Sequence, residues 1–402
     1  MTDQLRSAID THIAELIAIR HDLHEHPELM FAESRTSGVV TRELGAMGIE
    51  FKSGLARGTG VVAHLPATGG GKSEAVALRA DMDALPILES TGCAYASKTP
   101  GTMHACGHDG HVTMLLGAAR VLGGLGHRPN PVTFVFQPAE EGGAGGRHMC
   151  EDGALLGEAG GCVGTRVGRI FGMHGWPTIP IGIVSSRSGP LLAATDEFFI
   201  TIRGVGGHAA YPHLCKDPIV AAANVVSALQ TIASRTVSPL DSVVCTVGKI
   251  AGGSATNVIP ETVELVGTMR TLRGETRVVA KDRLFTIAES VAATHGCKAE
   301  IEYHEGYPVT HNDDALTEHF FGVARDTLGA ERVELTPEPQ MGGEDFSYYG
   351  RHVPACFFLL GLLPEGGDPA KTPMLHQPEF DFNDDAIATG VEMFCRLALS
   401  EF

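Results

Sequence analysis

The chain has 402 residues, more than a single hydrophobic core usually supports, so we expect two domains. It is 43% hydrophobic and 19% charged, and its formal net charge of -18 argues against a nucleic-acid or anionic-membrane partner, since both bind cationic surfaces. The N-terminal segment predicts an amphipathic helix rather than a secretory signal, and no run is long enough to span a bilayer. Nine scattered cysteines without a signal peptide indicate free thiols, so we expect a cytoplasmic protein.

The first half of the chain alternates strand-like and helix-like runs. Short β-branched runs predict strands, and longer runs with helical spacing lie between them. The strands are predicted at 58–67, 75–87, 131–141 and 168–177, and the helices at 111–125 and 146–157. This rhythm predicts an α/β fold with a mixed central sheet flanked by helices, in which ligands gather at the carboxyl ends of strands.

A different pattern begins at about residue 188. Asp217-Pro218 is a helix start signal and Gly296 a helix stop, and the runs around them predict the order β-α-β-β-α-β. That order is typical of a ferredoxin-like domain. Because site-like residues lie on both sides of it, we predict an inserted domain at 188–303, between catalytic segments 1–187 and 304–402.

The sequence "MHACGHDGH" places three histidines, a cysteine and an aspartate within residues 104–111, where a helix begins. Cys106 and His108 lie two positions apart, just before the predicted helix, so both side chains can reach one cavity. A thiolate and an imidazole suit zinc or another late first-row ion. The alternative interpretation is a buried thiol beside a capping histidine.

Further polar residues follow the other predicted strands. Glu140 and Glu141 in "QPAEEGG" are adjacent carboxylates, which repel each other unless a cation compensates them, although a solvated acidic turn has the same sequence. His174 ends an apolar strand and His376 precedes the last helix; alone, either is more often structural. Taken together, these residues form two nitrogen-plus-carboxylate sets and one thiolate able to bridge them, an inventory that suits two metal ions.

The motifs and their order resemble one amidohydrolase family of two-metal zinc-peptidase relatives. It includes hippurate hydrolase, bacterial N-acyl-amino-acid amidohydrolases and plant auxin-conjugate hydrolases. The resemblance covers residues 14 to about 390 and is carried by "RHDLHEHPEL", "LRADMDALPI", "MHACGHDGH", "FQPAEEGG", "GMHG", "GVGGHAAYPH", "GGSATNVIPE", "GGEDFSYY" and "LHQPEFDFND".

The resemblance implies a role for each candidate residue. It implies two divalent ions per subunit, which leaves zinc, manganese, cobalt and nickel open. Cys106 would bridge the ions, and the remaining metal ligands would be His108, Glu141, His174 and His376. Glu140 would be the general base that takes a proton from the attacking water and delivers it to the leaving nitrogen.

Two acidic residues and three histidines have weaker signals. Asp81 and Asp83 end the strand at "LRADMD", where more distant relatives place a histidine ligand and its orienting aspartate. Either these aspartates support a ligand histidine from behind, or they cap a turn. The triplet His21, His24 and His26 ends a helix before Pro27, and we interpret it as structural.

The predicted inserted domain carries its own candidates. In relatives this domain pairs with its copy, which implies a homodimer or higher homo-oligomer in which His208 reaches the partner's site and stabilises the oxyanion. Asn257 and Arg270 are candidates for holding a substrate carboxylate, although Arg270 also fits a surface ion pair. Gly343 and Glu344 in "GGEDFSYY" are candidate substrate contacts in the pocket wall.

The resulting prediction is a metal-dependent amidohydrolase. Its substrate would be a small N-acyl or N-aroyl amino acid, hippurate-like or N-acetylated, cleaved to a carboxylic acid and an amino acid. A dipeptidase or aminopeptidase-type enzyme is the alternative within hydrolases, and a non-catalytic metal-binding relative is the alternative outside them.

Overall fold

The computed structural model describes residues 2–69 and 73–402, which form two compact units. The first unit comprises the chain up to Leu191 together with His311–Glu338 and Asp345–Phe402, and the second comprises Leu192–Thr310 and Pro339–Glu344. The predicted domain limits stay a prediction. A strand of the second unit runs from Lys298 to Glu305. The segment Pro339–Glu344 has no periodic pattern that would have assigned it to the second unit.

The first unit is built on a mixed sheet. Among the described residues its strands stand in the order β1-β2-β4-β3-β5-β16-β6-β15. The central strands β4, β3, β5 and β16 run parallel to one another, while β1 and β2 pair antiparallel at one edge. The bounds are β1 Glu50–Leu55, β2 Gly60–Leu65, β3 Ala75–Asp81, β4 Val132–Gln137, β5 Val167–Pro180, β6 Val184–Ser186, β15 Val333–Leu335 and β16 Ala355–Leu363.

Helices flank this sheet and share its core. The strands β3 and β4 are buried along their whole length, as the continuous apolar runs of a parallel sheet require. The helices of this unit are α1 Thr2–Glu25, α2 Ser34–Ala46, α3 His108–Gly124, α4 Gly145–Glu151, α7 Asp314–Leu328 and α8 Ala386–Leu399. Because α3 begins at His108, this residue opens the helix instead of preceding it as predicted. The helix predicted over 146–157 ends at Glu151.

The second unit has the predicted order of elements. Its four-stranded antiparallel sheet has the order β10-β12-β8-β13, with α5 and α6 packed on a core of their own. Helix α5 begins as Asp217-Pro218 predicts, with the Asp217 side chain accepting a hydrogen bond from the Ile219 amide. The bounds are β8 Ala194–Arg203, α5 Pro218–Leu229, β10 Val243–Gly252, β12 Thr262–Thr271, α6 Gly274–Thr294 and β13 Lys298–Glu305. That this unit is an inserted, dimerising domain stays a prediction.

Two small sheets and several short helical turns lie between the longer elements. Two small sheets pair β9 with β11 and β7 with β14, with bounds β7 Gly189–Leu192, β9 Gly207–His208, β11 Val258–Ile259 and β14 Thr310–Asn312. Short helical turns lie at Ala56–Gly58, Gly157–Gly160, Pro212–Leu214, Ile232–Thr236, Ala330–Arg332 and Asp345–Arg351. The predicted mixed α/β class is confirmed. Within residues 2–69 and 73–402, none of the helices has the combination of length and apolarity that crossing a membrane requires.

Candidate metal centre

The candidate residues of the first unit meet at one edge of its sheet. Strands β3, β4 and β5 are neighbours with parallel directions, so the residues that follow or end them share an edge. Asp81 ends β3, Glu140 and Glu141 follow β4, and His174 lies in β5. His108 joins them from the first turn of α3.

Five donor side chains converge there. The Sγ of Cys106 lies 3.3 Å from Nε2 of His174 and 3.3 Å from Nε2 of His376, and that Nε2 is 3.2 Å from Oε1 of Glu141. Cys106 belongs to two sets whose donor atoms all lie within 4.8 Å of one another, one with His108 and His174, the other with Glu141 and His376. The thiol is therefore the shared member, as the hypothesis of a bridging ligand requires.

Unusual backbone conformations bring the distant segments together. Gly107, between Cys106 and His108, has φ 84°, and a Cβ there would lie 3.0 Å from the ring of Phe382. His376 has φ 65°, a left-handed conformation that strains a non-glycine residue by about 1–3 kcal/mol. Its amide donates to the carbonyl of Ala105 at 2.8 Å, which ties the last candidate ligand to the cysteine turn.

An unpartnered buried atom shows that a cation fits this donor set. His108 donates through Nδ1 to the Asp83 carbonyl at 2.8 Å, so Nε2 is the ring atom available to a cation. Among the described residues, that Nε2 has no hydrogen-bond partner although it is buried, whereas Oε1 of Glu141 lies 3.2 Å from Nε2 of His376. Leaving such an atom unpaired costs about 1–3 kcal/mol. Nitrogen, oxygen and sulfur donors at these separations suit a divalent first-row ion.

The electrostatics of the centre lead to the same conclusion. Burial, and then the carboxylates of Glu141 and Glu140, raise the pKa of the Cys106 thiol well above its usual range. Burial acts to lower the pKa of His108, but the carboxylate of Asp81 raises it to about 10. Negative charge is therefore in excess at the centre, and a bound cation would compensate it and favour the thiolate.

The two aspartates after β3 support the centre in different ways. The carboxylate of Asp83 accepts the amide hydrogens of Glu140 at 3.0 Å and Glu141 at 2.9 Å, while its carbonyl accepts from His108. Asp81 contacts Nδ1 of His111 at 2.6 Å, and its other carboxylate oxygen lies 3.8 Å from Nε2 of the candidate ligand His108. Its own charge is held by Arg79 at 2.6 Å. Asp83 thus holds the backbones of Glu140 and Glu141 and the imidazole of His108.

Sequence reasoning missed His111. Its Nε2 accepts the Gly175 amide hydrogen at 2.9 Å, so its Nδ1 must be the atom that donates to Asp81. The carbonyl of Gly175 accepts in turn from Nδ1 of His174 at 2.8 Å, which turns the Nε2 of that candidate ligand towards Cys106. His111 follows His108 by three positions on the same helix, and this spacing was the available signal in the sequence. It does not distinguish a metal ligand from a residue that orients a ligand.

The remaining candidates lie in the second unit. His208 is exposed and pairs with Val258 across β9 and β11, and the amide of the next residue donates to the carbonyl of Asn257 at 3.0 Å. Gly343 lies against Arg270, because a Cβ at this glycine would be 3.5 Å from Nη1 of that arginine. Glu344 is buried, and its carbonyl accepts from Thr310 at 3.0 Å. Their roles toward substrate stay predictions.

The three N-terminal histidines contact residues outside the two donor sets that share Cys106. His21 lies 2.8 Å from Asp384, and Nδ1 of His26 donates to the Asp22 carbonyl at 2.8 Å. His24 is buried and contacts Asp109 at 2.8 Å. None of the three belongs to the two donor sets that share Cys106.

The fold and this donor set together define the class of α/β metal-dependent hydrolases. The chain belongs to Peptidase family M20/M25/M40, whose family model matches residues 77–400. This confirms the predicted resemblance and, with it, the prediction of an enzyme that hydrolyses amide bonds.

Named relatives cover nearly the whole chain. It is 42% identical to N-acetyl-L-cysteine deacetylase of Bacillus subtilis, over 93% of this chain and 85% of that protein. It is 41% identical to IAA-amino acid hydrolase ILR1-like 4 of Arabidopsis thaliana, over 95% of this chain and 84% of that protein. A crystal structure of a Bacillus subtilis protein described as a dinuclear metal binding peptidase from the M20 family superposes with a TM-score of 0.82 at 34% identity, covering 97% and 98% of the two chains.

Proposed function

We propose that this chain hydrolyses the amide bond of N-acyl or N-aroyl amino acids, releasing a carboxylic acid and a free amino acid. The observation that carries the proposal is the convergence of Cys106, His108, Glu141, His174 and His376 beside Glu140, which is 6% exposed. The names of the bacterial and plant relatives support the substrate class, since each describes hydrolysis of an N-acylated amino acid.

The five converging side chains would hold two divalent ions, of zinc, manganese, cobalt or nickel. When bound, such ions polarise a carbonyl and lower the pKa of water. The chain's own contribution is to fix its donors: His108 is held by the Asp83 carbonyl and His174 by the Gly175 carbonyl.

Glu140 is the proposed general base. Its backbone is held by Asp83, and its Oε1 accepts from the Asp345 amide at 3.3 Å, which positions the carboxylate beside the donor set. We assign it the proton of the attacking water, which it then delivers to the leaving nitrogen. A carboxylate at hydrogen-bonding reach of the reacting atoms typically contributes a factor of about 100 to 10,000 to the rate.

The second unit supplies the proposed contacts to substrate. His208 accepts the Ala210 amide hydrogen at Nδ1, 3.1 Å away, so its Nε2 carries the proton that an oxyanion would accept. We assign that role to His208 of a second copy in a homodimer or higher oligomer. Arg270 and Asn257 are the proposed partners of the substrate carboxylate, and Gly343 and Glu344 the proposed pocket wall.

A substrate panel tests the proposal. The protein, reloaded separately with each of the four metals, is given N-acetyl amino acids, N-acetylcysteine among them, then hippurate, indoleacetyl amino acids and dipeptides. We expect turnover of one or more N-acylated amino acids. Turnover of dipeptides alone would assign a dipeptidase instead, and no turnover of any amide would favour a non-catalytic relative.

The variant Glu140→Gln tests the assignment of the base. It keeps the size of the side chain but cannot accept the proton, so turnover should fall at least about 100-fold while metal content stays that of the parent. Glu334→Gln, an exposed change on β15, is the matched control and should leave turnover unchanged. Full activity of Glu140→Gln would show that another group takes the proton.

A further inference from the structure

A second group of metal-binding residue types lies in the first unit, outside the candidate centre. His24 stands at the end of α1, and Glu89 and Cys93 lie in the segment 82–107 between β3 and α3. One donor atom from each lies within 4.8 Å of the other two. Nε2 of His24 is 3.3 Å from Oε1 of Glu89, which is 3.8 Å from Sγ of Cys93. Donors around a tetrahedral zinc ion lie about 3.3–3.6 Å apart.

The imidazole of His24 is oriented as metal-binding histidines are. Its Nδ1 lies 2.8 Å from Oδ2 of Asp109, which also accepts from Arg20 at 3.1 Å. His24 and Asp109 are buried, so this contact fixes the ring and turns Nε2 towards Glu89 and Cys93. A carboxylate behind one ring nitrogen and a metal at the other is the usual arrangement at protein metal sites.

The other two donors are also held in place. Oε2 of Glu89 accepts the Ser97 amide hydrogen at 2.6 Å, and its Oε1 accepts from the hydroxyl of Thr91. The same hydroxyl lies 3.3 Å from Sγ of Cys93. The Glu89 side chain is only 6% exposed, so it is positioned before any ion arrives.

A cation bound by these three residues would connect the segment 82–107 to helix α1. It contains only isolated bridges, at Ala84, Leu85 and Met103, and otherwise no strand or helix. Loops longer than about 15 residues without secondary structure are uncommon in compact domains. This one leads directly into the cysteine turn at residue 106, so a link from its middle to α1 would limit the motion of the candidate centre.

We propose that His24, Glu89 and Cys93 bind a third divalent cation, which fastens the segment 82–107 to the end of α1. One imidazole, one carboxylate and one thiolate are a donor set suited to zinc. Because imidazole and thiol ligands bind metal in their deprotonated forms, binding of the ion is favoured by rising pH. The site is structural, and its existence does not depend on the reaction proposed above.

A proton competes with the proposed cation for Nε2 of His24. Burial acts to lower the pKa of His24, but hydrogen bonds with Asp109 and Glu89 raise it to about 10. Without an ion, His24 therefore carries its second proton and pairs with both carboxylates. Metal content separates the two states, since only the proposed site adds an ion.

The experiment counts ions on the intact chain. Protein stripped with a chelator is reloaded with excess zinc, desalted, and its zinc measured by mass spectrometry per mole of chain. Wild type should hold three ions, and Cys93→Ser and Glu89→Gln should each hold two. Cys150→Ser is the matched control, because Cys93 and Cys150 are the two half-buried cysteines of the chain, and it should hold three.

Alkylation of wild-type protein gives a second measurement that needs no variant. Zinc should slow the reaction of Cys93 with iodoacetamide at least about tenfold, while Cys150 reacts at the same rate with and without zinc. The proposal is overturned if Cys93→Ser and Glu89→Gln hold as many ions as wild type at saturation. Equal alkylation of Cys93 with and without zinc would overturn it as well.

Discussion

The carboxylate of Asp83 is hydrogen-bonded to the backbone amide of Glu140 at 3.0 Å, and its second oxygen holds the next amide, that of Glu141, at 2.9 Å. The side chains of these two neighbouring residues are thereby directed to the same centre. In an extended strand they would point to opposite faces. The residue before them, Ala139, has φ 55°, so the turn is strained as well as clamped. Asp83 is the residue that holds it.

Replacing Asp83 should therefore impair catalysis more than folding. In Asp83→Asn the side chain keeps its shape, but its amide nitrogen cannot accept, so one of the two backbone amides loses its partner. We expect kcat to fall about 10- to 100-fold, the usual effect of removing a group that orients a metal site. Steady-state kinetics and metal content measure it. Asp313→Asn makes the same chemical change at the start of α7, away from the candidate centre, and should leave kcat unchanged.

Glu33 should make stability depend on pH. It is fully buried, and burial, opposed by hydrogen bonds from Thr59 and the backbone, raises its pKa from 4.5 to about 7. Between pH 4.5 and about pH 7, the carboxyl group of Glu33 therefore keeps its proton in the folded state and has lost it in the unfolded state. The free energy of unfolding falls as pH rises through this window, and the full penalty applies above pH 7.

The variant Glu33→Gln removes that penalty. Its amide oxygen can replace Oε1, which accepts from Phe31 and Ala139, and its amide nitrogen can donate to Thr59. We expect stabilisation of up to about 3 kcal/mol at pH 8, declining towards zero near pH 4.5. Urea denaturation at several pH values measures this. A gain of equal size at pH 5 and pH 8 would contradict the ionisation argument.

The candidate centre and the residues behind it differ in how far sequence predicts them. The sequence predicts Cys106, His108 and Glu141 as ligands because each stands near a strand or helix end. The structure brings them together, and their binding of metal stays a prediction. The sequence does not distinguish His111 from His108, since both are histidines of one helix turn. Only the Gly175 amide, brought near by β5, shows that His111 is an acceptor and an orienting residue. Likewise Asp81 was predicted either to support a ligand histidine or to cap a turn, and in the structure it contacts His111.

Long-range ion pairs also lie beyond the sequence pattern. Arg79 lies in an apolar strand, where the residue would be unfavourable without partners. Asp81, two positions further along the same strand, lies 2.6 Å away, and the tertiary fold adds Asp345 at 2.9 Å, a residue 266 positions away. The regular elements, by contrast, follow local periodicity. Their observed ends differ from the predicted ones where tertiary contacts set the boundary, as at His108, where α3 begins.

Removing the Arg79 charge should destabilise the first unit strongly. In Arg79→Met the carboxylates of Asp81 and Asp345 stay buried without their cation, which typically costs about 3–5 kcal/mol. The urea midpoint of the first unit, followed by circular dichroism, should fall accordingly. Arg42→Met is the matched control, because this arginine pairs with Glu43 from a side chain that is 62% exposed, and its loss should change stability by less than about 1 kcal/mol. Equal effects of the two variants would show that burial of the Arg79 pairs is not the source of stability.

The proposed role of His208 in a partner subunit makes a prediction about mixed oligomers. Glu140→Gln and His208→Ala should each be inactive alone. In a mixed dimer, the chain carrying His208→Ala keeps its own Glu140 and receives His208 from its partner, so one of the two sites is complete. Random mixing at equal concentrations should then restore about a quarter of wild-type activity, because half of the dimers are mixed and each has one working site. Mixing Glu140→Gln with His376→Ala is the control. Both residues belong to the centre of their own chain, so each chain of a mixed dimer has a defective centre and no site is complete. Failure to recover activity after subunit exchange is confirmed by mass spectrometry would place His208 in its own chain's site or outside catalysis.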